Sequence, residues 1–204
     1  MRQFNNLTIK NKGVTLIEML VAVAIFSITV GAISGLFISA IRSQRKVLAT
    51  QELLDQTSYV LEYMSRAMRM ARRESTPTAE CSHITTDCLS QADLNYETSG
   101  NQDLRFLNYT CACQRFFLEG PRLKEQKDWT LIGGVPTGGT ENFLTSDKLQ
   151  INSLKFNLSG QSQSEVPNLQ PRVTIFLKIL GRGTTERPEI QIQTSISQRP
   201  LDAP

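Results

Sequence analysis

Lys12-Gly13-Val14-Thr15-Leu16-Ile17-Glu18 opens directly onto a run without charge that lasts from Met19 to Ile41. At ~1.5 Å per residue, a helix of that length spans roughly 35 Å, enough to cross a bilayer core of about 30 Å. Glu18 stands flush against the apolar stretch, where a carboxylate is costly in lipid and marks a function. A secretory signal has a basic end, a short apolar core and a small-residue cleavage site after that core. Here Arg2, Lys10 and Lys12 lead straight into Gly13, and no such site follows the apolar run. The order of parts predicts an apolar segment that is retained.

This junction resembles the type IV prepilin signature: a short basic leader, glycine, an apolar residue, Thr-Leu-Ile-Glu and a hydrophobic helix. The resemblance is specific over residues 10–41 and covers the remainder only as a general pattern. It implies a leader at 1–13, cut by a prepilin peptidase between Gly13 and Val14, with N-methylation of the new amine of Val14. It assigns Glu18 the neutralisation of a neighbouring subunit's amino terminus during filament assembly. Many members begin the mature chain with phenylalanine; valine here is a conservative departure. The partners implied are the peptidase, other pilins or pseudopilins in a hetero-oligomeric filament, an inner-membrane assembly platform, and membrane lipid before assembly.

Basic residues do not orient the span, because Arg2, Lys10 and Lys12 precede it while Arg42, Arg45 and Lys46 follow it. The resemblance implies leader inside and globule outside: a single-pass protein of the cytoplasmic membrane that moves to a surface or periplasmic filament. Removing the three basic leader residues from the 22 in the chain leaves as many as the 19 acidic ones. A neutral mature chain argues against binding nucleic acid through bulk charge.

The length of 204 residues accommodates one soluble domain beside a membrane helix. Cys81, Cys88, Cys111 and Cys113 are an even set in the part expected to face an oxidising compartment, so they read as two disulfides with three possible connectivities. Cys111 and Cys113 sit at strand spacing and would share a face. A bridge between them would be a tight loop, which favours cross-bridges from the Cys81–Cys88 loop to the Cys111–Cys113 strand. The alternative is zinc, for which these thiols and His83 supply soft ligands, although the spacings match no standard zinc module.

Within the span, Ser27, Gly31, Gly35 and Ser39 recur every four residues and form one stripe of small side chains. Gly31-x-x-x-Gly35 is the pattern that lets helix backbones approach closely, and it predicts a packing face for another helix. Beyond Ile41 an amphipathic continuation is expected over 42–75. Val47, Thr50, Leu54, Thr57, Leu61, Met64, Met68 and Ala71 step by three and four, with Leu53 and Val60 widening the stripe. Ser75-Thr76-Pro77 is expected to end it, with Arg66, Arg69, Arg72 and Arg73 in the last turns, where cations suit the dipole.

Residues 76–204 read as a globular domain. Its strands are expected around Leu104–Phe106, Phe116–Leu118 and Leu123, about a turn at Glu119-Gly120-Pro121-Arg122. A strand with a phase slip at Asn152-Ser153 suggests a bulge. Val173–Ile179 and Ile190–Ile196 alternate as an antiparallel hairpin. Residues 76–102 carry no clear period. Residues 133–145 hold two glycine pairs without a Gly-Lys-Ser/Thr, so they are no phosphate loop and are expected to be a surface loop. Helix first and strands after predicts an α+β fold: a long N-terminal helix packed on an antiparallel sheet, which pilin resemblance also implies.

No nucleophile motif is present, the lone His83 sits in the cysteine loop, and no cofactor is called for, so an enzyme is not expected. The expected function is a structural subunit, a minor pilin or a type II secretion pseudopilin. Size, cysteine pairs and the sheet-rich second half resemble the larger accessory subunits, J-type pseudopilins included. The alternative is a monomeric, signal-anchored surface binding protein or adhesin, which would need neither Gly13 nor Glu18.

Overall fold

The computed structural model describes residues 13–74, 88–91, 93–160, 169–182 and 187–199. One long helix, α1 (Leu16–Arg69), is followed by ten strands. These are β1 (Glu97–Ser99), β2 (Asp103–Leu107), β3 (Cys113–Glu119), β4 (Arg122–Lys127), β5 (Thr130–Ile132), β6 (Val135–Thr137), β7 (Thr140–Phe143), β8 (Leu149–Ser159), β9 (Arg172–Gly181) and β10 (Glu189–Ser197). The fold is α+β and pilin-like, with every strand pair antiparallel. The strands divide into a five-stranded sheet, β1-β2-β3-β4-β7, a three-stranded sheet, β10-β9-β8, and the small hairpin β5-β6. The chain forms two compact units, Met1–Arg45 and Lys46–Pro204.

In the second unit, α1 buries Leu53, Thr57, Val60, Met64 and Met68. The centre of the stripe is therefore shifted from the one expected: Leu53 and Val60 lie at its heart, while Val47 and Leu54 stay exposed. The Thr57 hydroxyl keeps its burial cheap by donating to the Leu53 carbonyl at 2.6 Å. These side chains share one core with Leu104, Phe106, Phe116 and Leu123 of the five-stranded sheet. Leu154, Phe156, Val173, Ile175, Leu177 and Ile179 of the three-stranded sheet complete it. Each large apolar side chain withdrawn from water here contributes about 1.5–3 kcal/mol. The helix thus lies in the same core as both sheets.

The helix ends at Arg69, six residues short of Ser75. The cause is tertiary. Tyr96 donates its hydroxyl to the Met68 carbonyl, Arg199 N–H bonds the Arg69 carbonyl at 2.9 Å and Gln198 Nε2 reaches the Ala71 carbonyl at 2.6 Å. These donors satisfy carbonyls that a helix end leaves open, and burial pushes the Tyr96 hydroxyl's pKa up. Arg72 then pairs with Leu107 as an isolated antiparallel bridge. Only Arg66 and Arg69 thus belong to the last turn; Arg72 and Arg73 lie beyond it. Ser75-Thr76-Pro77 falls outside the described residues.

The β8 phase slip is a bulge: pairing with β9 jumps from Ile151↔Ile179 to Ser153↔Lys178, leaving Asn152 extra. The stretch 133–145 is not a loop but strand-rich. Ile132 pairs with Val135 across Gly133-Gly134, whose φ values of 59° and 81° are what a two-residue hairpin turn demands. At Gly139, φ is 78° and a Cβ would collide with the Lys127 carbonyl oxygen, so only glycine lets β7 return beside β4. The first glycine pair supplies turn geometry; the second admits close backbone approach.

Cys88 and Cys113 form a disulfide with their Cα atoms 5.3 Å apart. Cys111 is disulfide-bonded as well, and Cys81 lies outside the described residues. Cys111 is not in a strand beside Cys113. It occupies a turn at φ 62°, where Asn108 Oδ1 accepts the N–H groups of Thr110 and Ala112, and β3 begins only at Cys113. Around the bridge Leu89, Leu94, Leu107 and Trp129 form a second, smaller core. A bridge spanning 25 positions contributes about 3 kcal/mol by restricting the unfolded chain. The Cys88→Ala/Cys113→Ala double variant is expected to show that loss as a lower denaturant midpoint. The single, buried Trp129 provides the fluorescence signal, and an unchanged midpoint would mean that the staple adds nothing.

Candidate functional site

The head of α1 is built by three residues. Thr15 is the N-cap: its carbonyl accepts from Met19 N–H at 3.2 Å and its Oγ1 from Glu18 N–H at 3.4 Å. Thr-x-x-Glu is the sequence of a capping box, in which the glutamate would reach back to the cap's own N–H. Here only the threonine half forms. Among the described residues the Glu18 carboxylate has no partner, although it sits in the first turn, where the helix dipole favours an anion. Val14 is 62% exposed. A Cβ built on Gly13 would meet nothing within 4 Å. Among the described residues the junction is open and ends in an unpartnered carboxylate.

From Gly13 to Ala40 every side chain is exposed, including Leu20, Phe26, Ile33, Leu36 and Phe37 at 63–73%. The helix is long and apolar enough to cross a membrane. A helix apolar all round is covered in its working state, by lipid or by other helices. Two of its hydroxyls are satisfied internally: Ser27 donates to the Val23 carbonyl and Ser34 to that of Val30, both at 2.8 Å, so they add little polarity to the surface. The backbone at Gly31 and Gly35 is open, with no atom beyond the helix's own backbone within 4 Å of either Cβ position. Ser39 is exposed on the same stripe.

One polar cluster in the second unit escaped the sequence reading. The buried Glu125 carboxylate accepts from Tyr63 Oη at 2.7 Å and Gln114 Nε2 at 2.5 Å. Lys127 Nζ lies 3.3 Å from it and donates to Tyr63 Oη at 2.8 Å. Burial raises the Tyr63 pKa, and the Lys127 contact only partly opposes this. Tyr63 comes from α1 and the other three from β3 and β4. The cluster is a polar tie between helix and sheet, and the only hint of it in the sequence is a glutamate at an inward strand position. Among the described residues no group of acidic, histidine or cysteine side chains is arranged to hold a metal.

Residues 9–34 match the family model described as the prokaryotic N-terminal methylation motif, which is typical of type IV prepilin-like proteins. The match covers the N-terminal part of the chain alone. The match spans Gly13, Val14, Glu18, Ser27 and Gly31, and the motif is that of a pilin-like substrate of prepilin peptidase; it denotes a structural class and not an enzyme class. No curated protein and no solved structure matches the chain.

Proposed function

We propose that the chain is an accessory filament subunit, a minor pilin or a type II secretion pseudopilin, that acts by assembly and carries no chemistry of its own. The observation that carries this reading is the head of α1: an unpartnered Glu18 carboxylate leading an exposed apolar helix directly after an open Gly13-Val14 junction. Prepilin peptidase cuts after Gly13, Val14 is methylated, and the new amine pairs with Glu18 of an adjacent subunit. Opposite charges in a low-dielectric setting attract strongly and are costly when left single, so pairing extracts subunits from lipid in register. The stripe Ser27-Gly31-Gly35-Ser39 faces a neighbouring helix. The globular unit lies outside the cytoplasmic membrane, where oxidising conditions support the Cys88–Cys113 bridge.

Intact-mass and N-terminal peptide spectrometry on non-reduced protein from native membranes tests this. A mature chain starting at methylated Val14 is expected. Residues ahead of Val14 still attached, in cells with active peptidase, would leave a signal-anchored surface protein and end the filament reading.

A further inference from the structure

In the second unit, the side of α1 opposite its buried stripe carries a pattern of its own. Asp55, Tyr59 and Glu62 follow one another by four and three positions, so they share one line on the helix. All three are exposed, Tyr59 at 72%. Glu62 holds Arg66 at 2.8 Å in an exposed pair one turn on, and such a pair contributes little. Among the described residues Asp55 makes no ion pair. The line presents a ring between two carboxylates.

The outer face of the β10-β9-β8 sheet presents the converse. Phe176 is 39% exposed on the central strand. Register places Lys155 of β8 directly opposite it on one side and Gln193 of β10 on the other. The three form a straight row across the strands, and with Ser153, Lys178 and Gln191 they line a shallow concavity of about 620 Å³. The charged side chains of this face are Lys155, Arg172, Lys178 and Glu189. Lys178 and Glu189 compensate each other at 2.9 Å, so Lys155 and Arg172 leave the face positive. Here a ring stands between a cation and an amide donor.

The two patterns match in spacing as well as in sign. Asp55 to Glu62 is ~10.5 Å along the helix axis at about 1.5 Å per residue. Two steps between strands give a row of about 9.6 Å. A helix laid across the strands sets Asp55 against Lys155, Tyr59 against Phe176 and Glu62 against Gln193. These contacts are a carboxylate on an ammonium, a ring on a ring and a carboxylate accepting from an amide. Both patterns point away from the core that α1 shares with the sheet, so they cannot meet within one chain.

We propose that the outer face of this sheet docks the Asp55-Tyr59-Glu62 line of a second copy of the chain. The two surfaces of the contact differ, so each copy keeps one of them free and the contact repeats without closing. It lies wholly in the second unit and needs neither Gly13 nor Glu18, so it is independent of the filament reading.

The test is photo-cross-linking of the full chain in detergent micelles, with Tyr59→p-benzoylphenylalanine, which keeps a ring at the position. A covalent dimer is expected, and peptide mass spectrometry is expected to place the link between position 59 of one copy and the segments around Lys155 or Phe176 of the other. Lys155→Glu, and separately Asp55→Lys, are expected to lower the dimer yield by about ten-fold or more, because each brings like charges together. The combined Asp55→Lys/Lys155→Glu variant is expected to restore the yield, which a variant that had merely lost its fold would not do. An unchanged yield in either single variant, no recovery in the combined one, or a link away from this row overturns the proposal. So does the absence of a dimer.

Discussion

Glu18→Ala is expected to leave leader removal normal and to eliminate the subunit from sheared filaments. In the proposed assembly this carboxylate meets the methylated amine of Val14 on an adjacent subunit. Two such charges at ~4 Å attract by about 4 kcal/mol at an effective dielectric of ~20. Deleting one side of a buried pair costs about 3–5 kcal/mol, which is on the order of a thousand-fold in incorporation. The substitution should not damage the helix itself. Alanine is the best helix former, and the Thr15 cap binds the backbone N–H of position 18, not its side chain. The ratio of subunit in sheared filaments to subunit in membranes measures the effect. A parental ratio for the alanine variant would sink charge pairing. Glu18→Gln keeps size and hydrogen bonding but removes the charge, and is expected to fail in the same way.

Gly13→Asp is expected to leave the leader attached, and with it to prevent both methylation and assembly. The structure makes this a clean experiment. Gly13 is exposed, and among the described residues an added Cβ meets no atom within 4 Å beyond its chain neighbours. Nothing among the described residues resists a side chain there. Loss of processing would therefore report on the peptidase, which must admit the main chain at the scissile bond, and not on misfolding. Intact mass distinguishes the two forms directly, and the Trp129 fluorescence midpoint controls for the fold. Efficient cleavage of the aspartate variant would undo the assignment of this junction.

Gly13 and Asn152 illustrate what local sequence carries well. The glycine follows the basic leader and precedes Thr-Leu-Ile-Glu, and this order of parts needs no tertiary information. Asn152 marks the point where alternation slips, and the bulge lies there, because side-chain period and strand pleat are the same quantity. The pairing of Val173–Ile179 with Ile190–Ile196 was legible for the same reason. Residues 133–145 misled because two glycine pairs look like flexibility in a sequence. Their meaning, a tight hairpin turn and a close backbone approach at Lys127, depends on what stands opposite. Cys111 misled likewise: spacing placed it on a strand, while Asn108 holds it in a turn.

Composition and order alone determined the apolar span, its flush carboxylate, the methylation motif and the α+β succession, because each is a property of consecutive residues. Four matters waited for the folded chain. The helix stops at Arg69 because Tyr96, Arg199 and Gln198 supply donors to its end. The buried stripe centres on Leu53 and Val60, since two sheets rather than one define where apolar contacts are available. Cys88 meets Cys113 because the small core around Trp129 brings their Cα atoms within bonding range. Last, the edge of β8 is closed by Pro121 and Asn101. These are contacts between residues far apart in the chain, and their energies depend on which surfaces meet, a quantity no local pattern contains.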